Sequence, residues 1–319
     1  MDVAAVAALA RRVRANVERV FVGRADVIEL ALVAVLCEGH VLIDDVPGTG
    51  KTLLAKALAR SLGCTFRRLQ CTPDLLPSDV TGLEYFNQRT QQFEFRPGPV
   101  FSQVVLADEI NRATPRTQSA LLESMEERQV TVEGTSRPLP RPFIVLATQN
   151  PVELQGTFPL PEAQLDRFLL RLVLGYPSAA DEQEILRRQR VAPAVDALPA
   201  VTAPEDVLAA QRAVRDVHLS AVVEAYIVAL ARATRTHPEV ELGVSPRGSV
   251  ALHRAAQALA AIRGRAFVLP DDVKAVAAPV MAHRLVVGSG ARLRDRTAQE
   301  IVAEVVQSVP APVERDVRS

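Results

Sequence analysis

Apolar residues recur at Val6, Leu9, Val13, Val17 and Val20, a helical spacing over residues 3–20 that the Phe21-Val22-Gly23-Arg24 turn should end. A second helix is predicted over about residues 25–37. The pattern then changes to short, nearly continuous apolar runs: His40 to Asp44, Thr65 to Gln70, Val104 to Ala107, Phe143 to Ala147 and Phe168 to Leu174. Helical stretches from Leu53 and from Thr114 to Glu127 lie between them. Apolar strands alternating with helices predict an α/β fold whose parallel sheet is covered by helices on both faces. Two stretches leave this rhythm. Glu84-Tyr85-Phe86-Asn87 and Gln92-Phe93-Glu94-Phe95 flank a polar tip, and Gln129-Val130-Thr131-Val132 runs to Gly134, so hairpins are expected near 84–97 and 128–140. After Gly175-Tyr176-Pro177 the strand-like runs cease, and helical spacing recurs at about 181–191, 204–216, 219–236, 247–263, 270–284 and 297–308. The chain therefore divides into an α/β domain over 1–176 and an all-helical domain over 177–319, with a charged, proline-containing tail from Val309 expected to fray.

The hinge of this pattern is Asp45-Val46-Pro47-Gly48-Thr49-Gly50-Lys51-Thr52, set between the first apolar strand and the helix that begins near Leu53. Strand, glycine turn and helix, in that order, form the context in which such a stretch binds phosphate. Gly48 and Gly50 free the backbone to turn N–H groups inward, Lys51 reaches the β- and γ-phosphates, and the Thr52 hydroxyl can ligate Mg²⁺. Asp45 occupies the place where the general pattern begins with Gly. Lysine usage adds to the reading, since Lys51, Lys56 and Lys274 are the only lysines in the chain and a compact ammonium was kept here.

Asp108-Glu109 follow the strand Val104 to Ala107, at the carboxyl edge where open parallel sheets bind ligands. Asp108 is suited to hold Mg²⁺ through water, and Glu109 to orient or deprotonate an attacking water. Lys51 is expected on a strand neighbouring theirs. The next strand stops at Thr148-Gln149-Asn150-Pro151, which brings a neutral polar group to the same edge: Asn150, with Gln149 as the other candidate, against an ordinary Asn-Pro turn. Arg167, just before the fifth strand, reads either as a surface ion-pair residue or as a catalytic cation. Ser245-Pro246-Arg247 places a capping serine, a proline at the first helical position and an arginine in the first turn, where Arg247 faces either solvent or a phosphate across the interdomain cleft.

Composition narrows the classes. Lys plus Arg and Asp plus Glu both number 37, so no overall positive field gathers nucleic acid. Cys37, Cys64 and Cys71 form no C-x-x-C pair and are expected as small buried residues in a reducing compartment. Arg11-Arg12 interrupt the first apolar stretch and no later one reaches membrane-spanning length, so a cytoplasmic protein without membrane insertion is expected.

These motifs, in this order and spacing over nearly the whole chain, resemble those of the AAA+ ATPases and, more closely, their MoxR branch. The resemblance is carried by residues 45–52, Asp108-Glu109-Ile110-Asn111-Arg112-Ala113, Leu121 to Glu127, Ala147 to Pro151 and Leu160 to Phe168. It implies an ATPase using ATP and Mg²⁺, with nucleotide contacts over Val22, Gly23, Pro47, Gly48, Thr49, Gly50, Lys51, Thr52, Leu53 and Asp108. Val22-Gly23 resembles the box that packs on adenine; Thr52 and Asp108 resemble the metal ligands. Glu109 looks like the catalytic base, Asn150 like the first sensor, Arg167 like the finger inserted into a neighbour's site and Arg247 like the second sensor, in a lid domain. The two hairpins resemble insertions that face a ring pore. Family membership further implies a homo-oligomer, a hexameric ring, that remodels or activates client proteins, often metal-containing enzymes, beside a partner with a von Willebrand factor A domain. Two other readings stand beside it: a nucleic-acid motor of the related helicase branch, disfavoured by neutral charge, and an ATP-dependent scaffold with little turnover, disfavoured by an intact Glu109.

Overall fold

The computed structural model describes residues 1–150, 156–188 and 195–313. Pro151, the end of the helix expected to 191 and the last residues of the tail fall outside these. Helices α1 (Val3–Val17) and α2 (Ala25–Leu36) precede β1 (Val41–Asp44), α3 (Lys51–Ser61) and β2 (Phe66–Gln70). Asp2 caps α1 by accepting the Ala5 N–H at 2.7 Å, and Val6, Leu9, Val13 and Val17 form its buried stripe. The short α4 (Pro77–Thr81) leads into the hairpin β3 (Gly82–Asn87) and β4 (Gln92–Pro97), followed by β5 (Val104–Asp108) and α5 (Pro115–Glu127). A second hairpin, β6 (Gln129–Val132) and β7 (Thr135–Pro138), precedes β8 (Ile144–Gln149), α6 (Glu162–Leu165) and β9 (Leu170–Leu172).

The central sheet is parallel with strand order β2-β5-β8-β1-β9. This corrects the expectation that Lys51 and the acidic pair follow neighbouring strands, because β8 lies between β1 and β5. The chain leaves β1, crosses two strands to lay down β2 at the edge, and fills the gap later. The exchange has a chemical consequence: the end of β8 stands between the glycine loop and the acids. Side chains alternate across the sheet, so Val41, Ile43, Val104 and Leu106 pack with α1, α2 and α3, while Leu42, Val105 and Ala107 pack with Leu121, Leu122 and Met125 of α5. The fifth strand is three residues long, shorter than its apolar run from Phe168 to Leu174, because only Leu170–Leu172 pair with β1.

The remainder comprises α7 (Ala179–Arg188), α8 (Pro204–Arg215), α9 (Ala221–Thr236), α10 (Pro246–Ile262), α11 (Pro270–Met281), α12 (Ser289–Arg292) and α13 (Ala298–Ser308). It is not wholly helical. β10 (Val240–Leu242) and β11 (Val286–Val287) form an antiparallel ladder between helices, too short to leave an alternating signature in the sequence. Apolar residues of α10 share one buried cluster with those of α1 and α2, so the two halves of the chain are joined by a continuous core.

Candidate active site at the carboxyl edge of the sheet

Gly48 and Gly50 adopt φ of +86° and +92°, in the left-handed region that residues with a Cβ avoid. A Cβ at Gly48 would meet nothing within 4 Å, so the inner side of the turn is open, with Gly50 capping α3. Lys51 is the first residue of α3, and its Nζ donates to the Asp45 carbonyl at 2.7 Å; Thr52 and Leu53 follow, half-buried, in the first turn, and the Thr49 hydroxyl donates to the Val46 carbonyl at 3.3 Å. Asp45 itself is buried. Its carboxylate accepts the N–H groups of Val46 at 2.8 Å and Gly175 at 2.7 Å, while its own N–H donates to the Gln149 carbonyl at 3.2 Å. Beside it, burial pushes the Asp44 carboxyl up, opposed by the Arg171 guanidinium with which it pairs.

A cavity of about 480 Å³ adjoins the loop, lined by Phe21, Val22, Gly48, Leu53, Leu174 and Ile185 among others. Val22 lines it. Gly23 does not line it, because its backbone lies against Asp181 of α7. Phe21, whose ring edge comes within 3.3 Å of the Cβ position of Gly50, was not singled out from sequence; its signal is an aromatic residue one position before the Val22-Gly23 pair.

Asp108 and Glu109 end β5 with different environments. Asp108 is buried, accepting the Thr148 hydroxyl at 2.6 Å through one oxygen and the Arg68 guanidinium at 2.6 and 3.1 Å through the other. Glu109 has a positive φ of 58°, its N–H donates to the Thr148 hydroxyl at 2.8 Å, and its carboxylate accepts Gln70 at 2.9 Å and Arg112 at 3.2 Å. Thr148, fully buried at the end of β8, therefore fixes both acids: its hydroxyl donates to one residue and accepts from the other. Sequence reasoning passed over Thr148, Arg68 and Gln70. The only trace of the last two is the alternation of Arg68, Leu69 and Gln70 on the edge strand β2, in register with the end of β5. Asn150 follows directly on β8 and is half-buried, and Gln149, the last residue of β8, pairs in register with Asp44 of β1.

Arg167 and Arg247 lie elsewhere. Arg167 Nε is 3.3 Å from a Glu126 carboxylate oxygen, and Arg247 donates to the other oxygen of the same residue. They share a cavity of about 260 Å³ with Gly39 and His40, which lead into β1, and with Leu169, which precedes β9. That is the amino edge of the sheet, roughly 13 Å along the four residues of β1 from the glycine loop. Ser245 does cap α10, accepting the Gly248 N–H at 3.4 Å, with Pro246 first in the helix, yet the arginine so presented does not face its own chain's glycine loop. The lid is seated over the amino edge because Arg284 of the helical part bonds Asp166 at 2.7 Å and the Phe168 carbonyl at 2.6 Å.

The three cysteines are free, and burial pushes each thiol up to about 12. Cys64 and Cys71 are buried as expected, while Cys37 is partly exposed at the wall of another cavity. Among the described residues no group of three or more His, Cys, Asp and Glu could cage a metal. A Mg²⁺ ion bound with phosphates needs only one or two protein oxygens rather than a cage. No helix among the described residues is long and apolar enough to cross a membrane.

The sequence model of the ATPase family associated with various cellular activities (AAA) matches residues 40–170, and that of the AAA lid domain matches residues 232–305. The chain is 50% identical to the uncharacterized protein YeaC of Bacillus subtilis, covering 94% of each chain, and 40% identical to Chaperone MoxR1 of Mycobacterium tuberculosis, covering 93% of this chain and 81% of that one. It is 33% identical to Protein MoxR of Paracoccus denitrificans over 95% of this chain and 96% of the relative. A crystal structure of a candidate ATPase from Cytophaga hutchinsonii superposes with a TM-score of 0.90 at 37% identity, covering 97% of this chain and 96% of that one.

Proposed function

Because the chain belongs to the MoxR family of AAA+ ATPases, we propose that it is a ring-forming, chaperone-like ATPase whose active site is completed by a neighbouring subunit. Mg²⁺, held by Thr52 and Asp108, would neutralise charge on the β- and γ-phosphates. Lys51 meets the same phosphates, the turned-in N–H groups of residues 48–53 cradle them, and Val22 contacts the base. Glu109 orients and deprotonates the attacking water, with Asn150 beside it or Gln149 in that role. Thr148 keeps the two acids in place.

Arg167 and Arg247 come from the adjacent subunit. The observation that carries this reading is their shared partner: both guanidiniums converge on Glu126 at the amino edge, away from the glycine loop of their own chain. A ring built head to tail brings one face of each subunit against a different face of the next, so it can bring one subunit's amino edge to the next subunit's glycine loop. The same reading extends to a hexamer in the cytoplasm that remodels client proteins, including metal-containing enzymes, with a partner carrying a von Willebrand factor A domain. Likeness to Chaperone MoxR1 supports the chaperone part. The client surface is the hairpin pair. Phe86 and Phe93 stack edge-on at 5.4 Å and stand 51% and 72% exposed, whereas Phe95 packs on Phe101 and under Arg137 of the second hairpin.

Calorimetry on two variants tests the assignment of the pocket. Lys51→Ala should abolish ATP binding, because the charge that meets the phosphates is gone, whereas Glu109→Gln should bind ATP and lose turnover. Equal loss of affinity in both would remove Glu109 from the role of base.

A further inference from the structure

We propose that Asp45 is a positioning residue that ties the occupancy of the glycine loop to the segment carrying α7, an inference that rests on residues 47–53 being the nucleotide site. Where the general phosphate-loop pattern opens with glycine, this chain buries a carboxylate at 5% exposure and bonds it in two directions. One oxygen accepts the Val46 N–H at 2.8 Å, inside the loop; the other accepts the Gly175 N–H at 2.7 Å, beyond the end of β9. Gly175 has a φ of +68°, and a Cβ there would approach nothing closer than Arg24 Nη1 at 3.7 Å, so conformation rather than space demands glycine. Arg24 donates to the Leu174 carbonyl beside it, and its guanidinium is held charged by its bond to Asp26 and further by the Asp45 charge.

Four residues beyond Gly175, α7 begins, and its Ile185 and Arg188 line the 480 Å³ cavity next to the loop. The carboxylate thus connects the turn that takes the phosphates with the chain that supplies the far wall of the base cavity. The third connection is Lys51, whose Nζ donates to the Asp45 carbonyl at 2.7 Å. When Lys51 turns to phosphate it releases that carbonyl, the start of the loop relaxes, and the carboxylate transmits the change to Gly175. A glycine in place of Asp45 leaves the cradle but removes the tie.

Hydrogen exchange with and without ADP·Mg²⁺ tests this, with ADP affinity measured alongside by calorimetry. In the wild-type chain, ADP should slow exchange both over residues 45–55 and over 175–188. In Asp45→Gly, the charge-assisted bond to Gly175 is lost, so amides at 175–178 should exchange about tenfold to a hundredfold faster. ADP should still bind within about tenfold of the wild-type affinity and still protect 45–55, while its protection of 175–188 disappears. Asp45→Asn, which keeps the shape and one acceptor, should fall between and stands in if the glycine variant does not fold. Undiminished ADP-induced protection of 175–188 in these variants overturns the proposal, and so does joint loss of affinity and of protection at 45–55, since Asp45 would then only build the loop. Failure of ADP to bind the wild-type chain would instead remove the nucleotide site on which the inference rests.

Discussion

At the carboxyl edge of the sheet, Lys51, Asp45, Asp108, Glu109 and Thr148 bond within the edge they occupy, while at the amino edge Arg167 and Arg247, from different halves of the chain, share Glu126. The first arrangement is a site with its own anion cradle and its own acids. The second is positive charge without a substrate: Arg128, Arg254 and Arg284 line the same cavity, against Glu38, Glu126 and Asp166. On the function proposed above, a single chain holds two halves of phosphoryl-transfer machinery, facing apart. The difference teaches that arginines can be legible in a sequence as catalytic candidates and yet have no target in their own fold.

The largest effect that would sharpen this contrast is on turnover. Arg167→Ala should lower ATP hydrolysis by roughly 10³-fold while leaving ATP affinity nearly unchanged, because a finger stabilises charge that develops in the transition state. An exposed ion pair with Glu126 alone would contribute at most about 1 kcal/mol and would leave hydrolysis as it is. Steady-state hydrolysis and calorimetry on the same preparation separate the two outcomes.

A smaller effect concerns acid. His40 accepts the Val145 N–H at 2.9 Å through Nδ1 and therefore donates through Nε2 to the Met125 carbonyl at 3.0 Å, next to Glu126. Burial pushes this imidazole down to about 4, so the unfolded chain takes up its proton first as pH falls below about 6.5. The stabilisation is present above that pH and is lost as pH falls toward about 4, with about 2 kcal/mol gone at pH 5. Urea midpoints at pH 7 and pH 5 should therefore differ less for His40→Gln than for the wild-type chain. Exchange at the amino edge should also rise before exchange at the glycine loop. Equal pH dependence in both chains contradicts this assignment.

The smallest effect on hydrolysis should come from the hairpins. Replacing Gln88 to Thr90 by a Gly-Ser loop, or Phe93 by serine, should spare basal ATPase activity and impair client activation, measured as recovered client activity. Unchanged client activation would show that the exposed Phe86 and Phe93 pair serves only its own hairpin.

How much of this was legible in the sequence follows the same division. The glycine loop, Asp108-Glu109 and the apolar strands before them are local patterns, and each folds into the element its spacing predicts. The cap of α10 was equally readable, because Ser245 and Pro246 act within one helical turn. What could not be read is pairing between distant segments. Nothing in the run Val104 to Ala107 says that β8 rather than β1 lies beside it, and nothing in Leu121 to Glu127 says that Glu126 meets two arginines from 41 and 121 residues further on. Thr148 escaped notice because an isolated threonine at the end of an apolar strand has no periodicity to mark its hydroxyl. The ladder of β10 and β11 escaped because two and three residues are too few to alternate.

The shared active site is tested most directly by mixing. Arg167→Ala subunits keep intact pockets but lack the finger, and Lys51→Ala subunits keep fingers but have dead pockets. Rings formed from both, with co-assembly verified by native mass spectrometry, should hydrolyse ATP although neither pure ring does. Co-assembled rings that remain inactive, or an Arg167→Ala protein that hydrolyses ATP at the wild-type rate, would contradict it.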